Sequence, residues 1–175
     1  MTTGQNFLAP IVLKVGGSLL DGAESLPPTL FTRIAGEIQS QRVLVLFGGG
    51  LKVDRIREEH RFGRLSDDQA HWRAIEVMDE RAEQFLPYLP KLAQVVNFKQ
   101  IDQATSSVVV IQVGSALRDD SSLPVGWQVT SDSIAAWVAT KSKASRLVLA
   151  KSVGKTGLFD PSQAQRLGWA DDYFP

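Results

Sequence analysis

The sequence contains no cysteine, no long apolar segment and no net charge. Without cysteine, the 175-residue chain can form neither a disulfide framework nor a thiolate metal site, which favours a reducing compartment. Its longest apolar runs, such as VLVLF, are about five residues, far short of a membrane-spanning helix. The first ten residues also lack the basic and apolar regions of a secretory signal. These absences predict a soluble, cytoplasmic protein with no membrane partner.

The charge balance argues against a nucleic-acid partner. Nineteen basic residues face nineteen acidic ones, whereas general nucleic-acid binders carry a basic patch or stripe. We therefore expect any anionic ligand to be a small molecule that a few local residues hold.

Short apolar segments alternate with longer amphipathic ones along the chain. This alternation is typical of a three-layer αβα sandwich with a mostly parallel central sheet. We expect one domain over residues 1–175, since no repeat or linker divides the chain. Residues 91–106 fit either a strand or a helix. Strands are predicted at 11–15, 42–47, 107–113 and 146–150, and helices at 26–41, 66–86 (with Ser66 as N-cap) and 131–144.

Two glycine-rich turns follow the first two predicted strands. The first, after IVLKV, contains Gly16 and Gly17, and the second, after RVLVLF, is Gly48 to Gly50. Parallel strands end at the same edge of a sheet, where open α/β sheets bind ligands. Bare backbone lets N–H groups approach an anion closely, although either turn alone could simply need positive φ. Together with Lys14 in the first strand, the turns predict an anion site suited to a phosphoryl group.

Other catalytic motifs are missing. The segment VGKTG contains the Gly-Lys-Thr that ends a P-loop, but Leu149 stands where that motif needs its first glycine. The sequence also contains no G-x-G-x-x-G, H-E-x-x-H or G-x-S-x-G. Walker-type, dinucleotide-binding, zinc-protease and serine-hydrolase functions therefore have no support.

The segments VLKVGGSLL, VLFGGG, WQVTSDSIAAWVA and LVLAKSVGKTGLFD occur in a familiar order and spacing. Over about residues 11 to 160 the chain resembles the amino acid kinase family, which includes acetylglutamate, carbamate, aspartate and uridylate kinases. The stretch GGGLKVDRIREEHRFGRLSDDQAHWRAIEVMD, with GWQVTSDSIAAW, resembles more narrowly the small kinases of methanofuran- and methanopterin-type C1 cofactor pathways. The archaeal member of that subgroup phosphorylates an aminomethylfuran phosphate. The resemblance implies a homo-oligomeric kinase, such as a dimer, that uses ATP and Mg²⁺.

The resemblance also implies catalytic roles. Lys14 would stabilise the charge that develops between donor and acceptor, and Asp132 would orient Lys14 and keep it charged. A snorkelling strand lysine and a helix-capping aspartate are the alternatives for these two residues. A solvated loop lysine is the alternative for Lys151. The implied nucleotide-side residues are Lys14, Gly16, Gly17, Ser18, Lys151 and Gly157.

Acceptor binding is assigned to the second glycine turn and the segments near it. Arg57 would bind a phosphorylated acceptor by bidentate contact, although Asp54 and Arg57 could form an ordinary exposed ion pair. His71 could be a packed structural residue. We predict no metal site built from protein ligands. The predicted acceptor residues are Gly48, Gly49, Gly50, Asp54, Arg57, His71, Thr130 and Ser131.

The chain departs from the family pattern near its end. Most relatives continue well beyond the GLFD segment, and Thr156 precedes Gly157 where relatives have an acidic residue. We therefore expect a short nucleotide-binding end in which the adenine pocket is partly missing or built differently. An acyl-phosphate-forming amino acid kinase, a uridylate-type kinase and a non-catalytic nucleotide- or anion-binding protein stay open as alternatives.

Overall fold

The computed structural model describes residues 8–21, 41–89, 91, 93–152, 157, 160–171 and 173–174. The predicted helix at 26–41 lies outside the described residues except for Gln41, which belongs to a strand. Thr156 also lies outside them.

Five strands of the described chain form a single parallel sheet in the order β3-β4-β2-β1-β5. This arrangement confirms the predicted α/β fold. Within 91–106, the region left ambiguous by the sequence, a short strand precedes a 3₁₀ helix, Phe98–Gln103. The strands are β1 Leu8–Val15, β2 Gln41–Phe47, β3 Gln94–Asn97, β4 Val108–Gln112 and β5 Arg146–Ala150.

Side-chain caps mark the first residues of the second and fourth helices. Ser66 Oγ accepts the backbone N–H of Gln69, and the Gln69 side chain accepts the N–H of Ser66, which is the predicted start of the second helix. Thr130, the first residue of the TSDS segment, is the N-cap of the fourth helix, and its side chain accepts the N–H of Asp132. No helix in the described part of the chain is long and apolar enough to cross a membrane. The helices are α1 Leu51–Arg61, α2 Asp67–Phe85, α3 Gly114–Arg118, α4 Ser131–Lys141 and α5 Pro161–Arg166.

The two faces of β1 pack into different apolar clusters of the core. Ile11, Leu13 and Val15 pack into one apolar cluster, whereas Val12 packs into another that includes Ile134 of α4. Successive side chains of a strand point to opposite faces, so Lys14 shares the face of Val12. The alternation therefore directs the lysine toward α4.

Candidate active site

Lys14 lies one residue before the end of β1, an interior strand of the sheet. In register it is flanked by Leu46 of β2 and Leu149 of β5. The residue is 5% exposed. Because a lone buried ammonium is strongly unfavourable, its partner decides its role.

That partner is Asp132, in the first turn of α4. Its Oδ1 lies 2.8 Å from Lys14 Nζ, and its Oδ2 accepts a hydrogen bond from Lys151 Nζ at 2.7 Å. Asp132 is 4% exposed, while Lys151, which directly follows β5, is more accessible. One carboxylate thus bridges two ammonium groups. This lysine–aspartate–lysine triad carries one surplus positive charge, which suits it to an anionic ligand.

Burial lowers the pKa of Lys14, and the Asp132 carboxylate opposes this effect. The positive charge of Lys151 adds to the lowering. An anionic ligand beside Lys14 would favour its charged form. The protonation of Lys14 is therefore sensitive to a negative charge that a ligand places next to it.

The two glycine turns pack directly against each other beside the triad. A Cβ on Gly17 would lie 2.0 Å from the backbone nitrogen of Gly50, and one on Gly48 would lie 2.9 Å from the nitrogen of Gly17. The N–H of Gly16 donates to the carbonyl of Ala150, which ties the first turn to β5. The close packing of the two turns leaves no room for side chains at these glycines, and the predicted phosphate-binding role of the turns stays a prediction.

Sequence reasoning did not find Asp21 and Arg81, which hold the second glycine turn in place. Asp21 Oδ2 accepts the N–H of Leu51 at 2.9 Å, and its Oδ1 lies 2.7 Å from Nη2 of the buried Arg81. The carboxylate thereby fixes the start of α1 next to Gly50. The two residues are far apart in the sequence, and no local pattern links them.

Replacing Gly50 should disturb this arrangement. Gly50 has φ 56°, and a Cβ there would lie 2.3 Å from Asp21 Oδ2. We expect Gly50→Ala to lower the free energy of unfolding by more than the roughly 1–3 kcal/mol typical of a strained backbone position, because a clash adds to the strain. Chemical denaturation measures the loss.

Gly63→Ala is the matched control for this prediction. Gly63 has φ 70°, but no atom of the described residues lies within 4 Å of the place that a Cβ would take. That variant therefore has backbone strain without the clash. Equal losses in the two variants would contradict a structural role for the Asp21 contact.

A cavity of about 240 Å³ opens beside the triad on the side of the second glycine turn. Its walls combine apolar side chains of α1, α2 and α4 with polar groups at the rim. Gly48 and the three triad residues do not line the cavity, but a Cβ on Gly48 would be 3.4 Å from Lys14 Cε. The predicted residues that line the cavity are Gly17, Ser18, Gly49, Gly50, Asp54, Arg57, His71, Thr130 and Ser131.

Arg57 is held at the cavity from two sides. Its Nη1 lies 2.9 Å from Asp54 Oδ1, so the ion pair considered from the sequence is present, and both residues also line the cavity. The guanidinium lies 5.0 Å from the ring centre of Trp127. Arg57 is thus pre-positioned while its side chain stays about half exposed.

Trp127 is in turn fixed by His60. The indole N–H donates to His60 Nδ1 at 3.0 Å, and His60 Nε2 lies 2.5 Å from Asp67 Oδ1. Because an indole nitrogen can only donate, Nδ1 must be the acceptor and Nε2 carries the proton. These two hydrogen-bond contacts connect the end of α1, where His60 lies, with the start of α2 and with the loop before α4.

His71 lies at the cavity and is also a packed structural residue, which was the alternative considered from the sequence. It lines the cavity, yet it is buried and its Nδ1 accepts the N–H of Gly126 at 3.2 Å. Burial lowers the pKa of His71. The neutral imidazole therefore positions the 126–130 loop.

A sequence model of the amino acid kinase family matches residues 9–163, a range that contains the whole triad. The chain belongs to the amino acid kinase family. It is a small-molecule kinase. Comparison with curated protein sequences gives no match.

Solved structures with the same fold include two uridylate kinases. The uridylate kinase of Archaeoglobus fulgidus is 23% identical, with a TM-score of 0.59 over 87% of this chain and 69% of that one. The UMP kinase of Bacillus anthracis is 18% identical, with a TM-score of 0.55 over 88% of this chain and 69% of that one. At these identities the likeness is one of fold.

The residues predicted to bind a nucleotide are described only in part. Ser18 Oγ lies 2.8 Å from Ser152 Oγ, which connects the first glycine turn with the segment after Lys151. Gly157 is exposed, and the residues on either side of it lie outside the described part of the chain.

The described residues do not provide a magnesium cage. No group of three His, Cys, Asp or Glu side chains among them could hold a metal ion, and both oxygens of Asp132 already face lysines. Magnesium commonly binds through substrate phosphates with few protein ligands.

Proposed function

We propose that this kinase transfers the γ-phosphoryl group of Mg-ATP to a small acceptor that already carries a phosphate. The observation that carries the proposal is the bridging of Lys14 and Lys151 by Asp132, next to two side-chain-free turns.

Phosphoryl transfer depends mainly on positioning and on stabilising charge. An acceptor oxygen forms a bond to the γ-phosphorus while the bond to the β–γ bridging oxygen breaks, and ADP leaves with the electron pair. The Lys14 ammonium, fixed in advance by Asp132, stabilises negative charge without reorganising during the step. Lys151 adds a second charge on the nucleotide side, and the glycine turns bring backbone N–H groups to the phosphates.

The cavity supports an acceptor with an apolar body and an anionic end. Ile75, Met78 and Trp127 provide apolar walls, and Arg57 provides a guanidinium suited to bidentate contact with phosphate. An aminomethylfuran phosphate of C1 cofactor synthesis fits this description, as the sequence resemblance suggests. A uridylate-type acceptor shares the same chemistry, and the carboxylate of a free amino acid can also bind Arg57 in a bidentate way, so the acceptor assay has to separate them.

Binding and turnover can be tested separately. We expect Mg-ATP at about 100 times its dissociation constant to stabilise the protein by roughly 2.7 kcal/mol, which gives a visible rise in melting temperature. ADP release is then measured with aminomethylfuran phosphate, UMP and glutamate as acceptors. The proposal predicts turnover with a phosphorylated acceptor.

Each other outcome has a distinct meaning. No thermal shift with Mg-ATP would contradict the kinase proposal. A shift without turnover on any acceptor would favour the non-catalytic binding protein, and turnover on glutamate alone would favour acyl-phosphate chemistry.

A further inference from the structure

Asp171 lies beyond the residues that match the family model, yet its side chain reaches the start of α4. Its Oδ2 accepts hydrogen bonds from the N–H of Thr130 at 3.0 Å, from Thr130 Oγ at 2.6 Å and from the N–H of Ser133 at 3.1 Å. Its Oδ1 accepts a hydrogen bond from Ser133 Oγ. Four donors from one helical turn therefore converge on a single half-buried carboxylate.

The carboxylate is held in its ionised form. Burial alone would raise the pKa of Asp171, but hydrogen bonds from Ser133 and Thr130 outweigh this effect and hold the pKa below its ordinary value. A negative charge at a helix N-terminus also interacts favourably with the helix dipole. Asp171 thus acts as a fixed charge at the start of α4.

The residues that bind Asp171 lie on both sides of Asp132 in the first turn of α4. Thr130 and Ser133 stand on either side of it in the chain, and Thr130 Oγ also accepts the N–H of Asp132 at 3.3 Å. The direction of the Asp132 side chain depends on the geometry of this turn. Asp171 therefore acts on both lysines through the residue that bridges them.

Asp171 also affects the triad electrostatically. The charged groups that influence Lys14 are Asp132 on α4, Lys151 after β5 and Asp171 in the C-terminal segment. The two carboxylates raise the pKa of Lys14, and Lys151 lowers it. Asp171 thus adds a second, smaller contribution to that of Asp132 at Lys14.

We propose that Asp171 is a positioning residue for phosphoryl transfer. It fixes the first turn of α4 so that Asp132 holds both ammonium groups in place, and its negative charge acts on Lys14 in addition to that of Asp132. The effect on turnover rests on the proposed kinase function, whereas the effect on Lys14 does not.

The electrostatic part is tested on the protein alone, without ATP or acceptor. The titration of Lys14 is followed by NMR of ¹³C-labelled lysine side chains, with Lys14→Arg used to assign the signal. We expect the midpoint to move to lower pH in Asp171→Asn than in the parent, because a nearby negative charge is lost. An unchanged midpoint would overturn the proposal.

Asp79→Asn is the matched control. Asp79, on α2, is also a half-buried carboxylate that accepts hydrogen bonds from the start of another helix, but its donors are the N–H groups of Val113 and Gly114 at α3. The midpoint of Lys14 should stay in place in this variant. A shift as large as that in Asp171→Asn would show a general effect of losing a carboxylate and would overturn the proposal.

The positioning part is tested by kinetics. In Asp171→Asn we expect kcat to fall on the order of tenfold, with little change in acceptor KM, since small displacements of catalytic groups are costly. The alkaline limb of the kcat profile should also move to lower pH. A folded Asp171→Asn variant with the parent's kcat and pH profile would contradict the proposal.

Ser133→Ala keeps the proposal testable if Asp171→Asn does not fold. It removes one donor to Asp171 but leaves the charge. We expect a severalfold fall in kcat with the alkaline limb where the parent has it, and an unchanged kcat would overturn the positioning role. A parent enzyme that phosphorylates no acceptor would refute the proposed function instead, and the NMR titration would still decide the role of Asp171.

Discussion

Lys14→Met should lower kcat by about a hundredfold or more while leaving the protein folded. Losses of this size follow removal of a single preorganised group that stabilises transition-state charge. Methionine fills a similar volume, and Lys151 still pairs with Asp132, so no carboxylate is left without a partner. ADP release under saturating Mg-ATP and acceptor measures the effect, and thermal unfolding checks the fold.

Lys141→Met is the control for this prediction. Lys141 ends α4 and pairs with Asp120, away from the glycine turns. Its replacement should leave kcat within about twofold of the parent, as is usual for a surface position. Turnover that survives intact in Lys14→Met would show that another residue stabilises the transferred group.

Asp132→Ala should be the most destabilising change at the site. It leaves the buried Lys14 ammonium without its carboxylate, and breaking a buried ion pair in this way costs about 3–5 kcal/mol. Chemical denaturation measures the loss. Turnover should fall as well, because the catalytic lysine loses its fixed position.

Two comparisons isolate the charge effect. Asp120→Ala, which removes a surface partner of Lys141, should change stability little. In the double variant Lys14→Met with Asp132→Ala, the combined loss should be smaller than the sum of the single losses, because the buried charge is gone as well. A loss in Asp132→Ala no larger than in Asp120→Ala would contradict the buried-pair interpretation.

Local patterns predicted four of the five described strands and placed Lys14 and the two glycine turns at the same edge of the sheet. Continuous apolar runs predicted β1, β2, β4 and β5, because strands covered on both faces need such runs. The place of Lys14 and the two glycine turns followed from the rule that parallel strands end at one edge. The short strand β3 escaped prediction because four residues are too few to show a period.

The supports of the site could not be predicted in the same way. Asp21 with Arg81, His60 with Trp127, and Asp171 with Ser133 are pairs that only tertiary folding brings together. Each joins separate elements through one or two side-chain hydrogen bonds. Nothing in the spacing of single charged residues indicates which of them will meet.

The transferred phosphoryl group should bind at the triad, and the proposed function depends on this above all. A crystal structure with Mg²⁺ and a non-hydrolysable ATP analogue tests it most directly. We expect γ-phosphoryl oxygens within hydrogen-bond distance, about 2.7–3.2 Å, of the Nζ atoms of Lys14 and Lys151, beside the two glycine turns. A nucleotide bound elsewhere, with both lysines still paired to Asp132 alone, would contradict this placement.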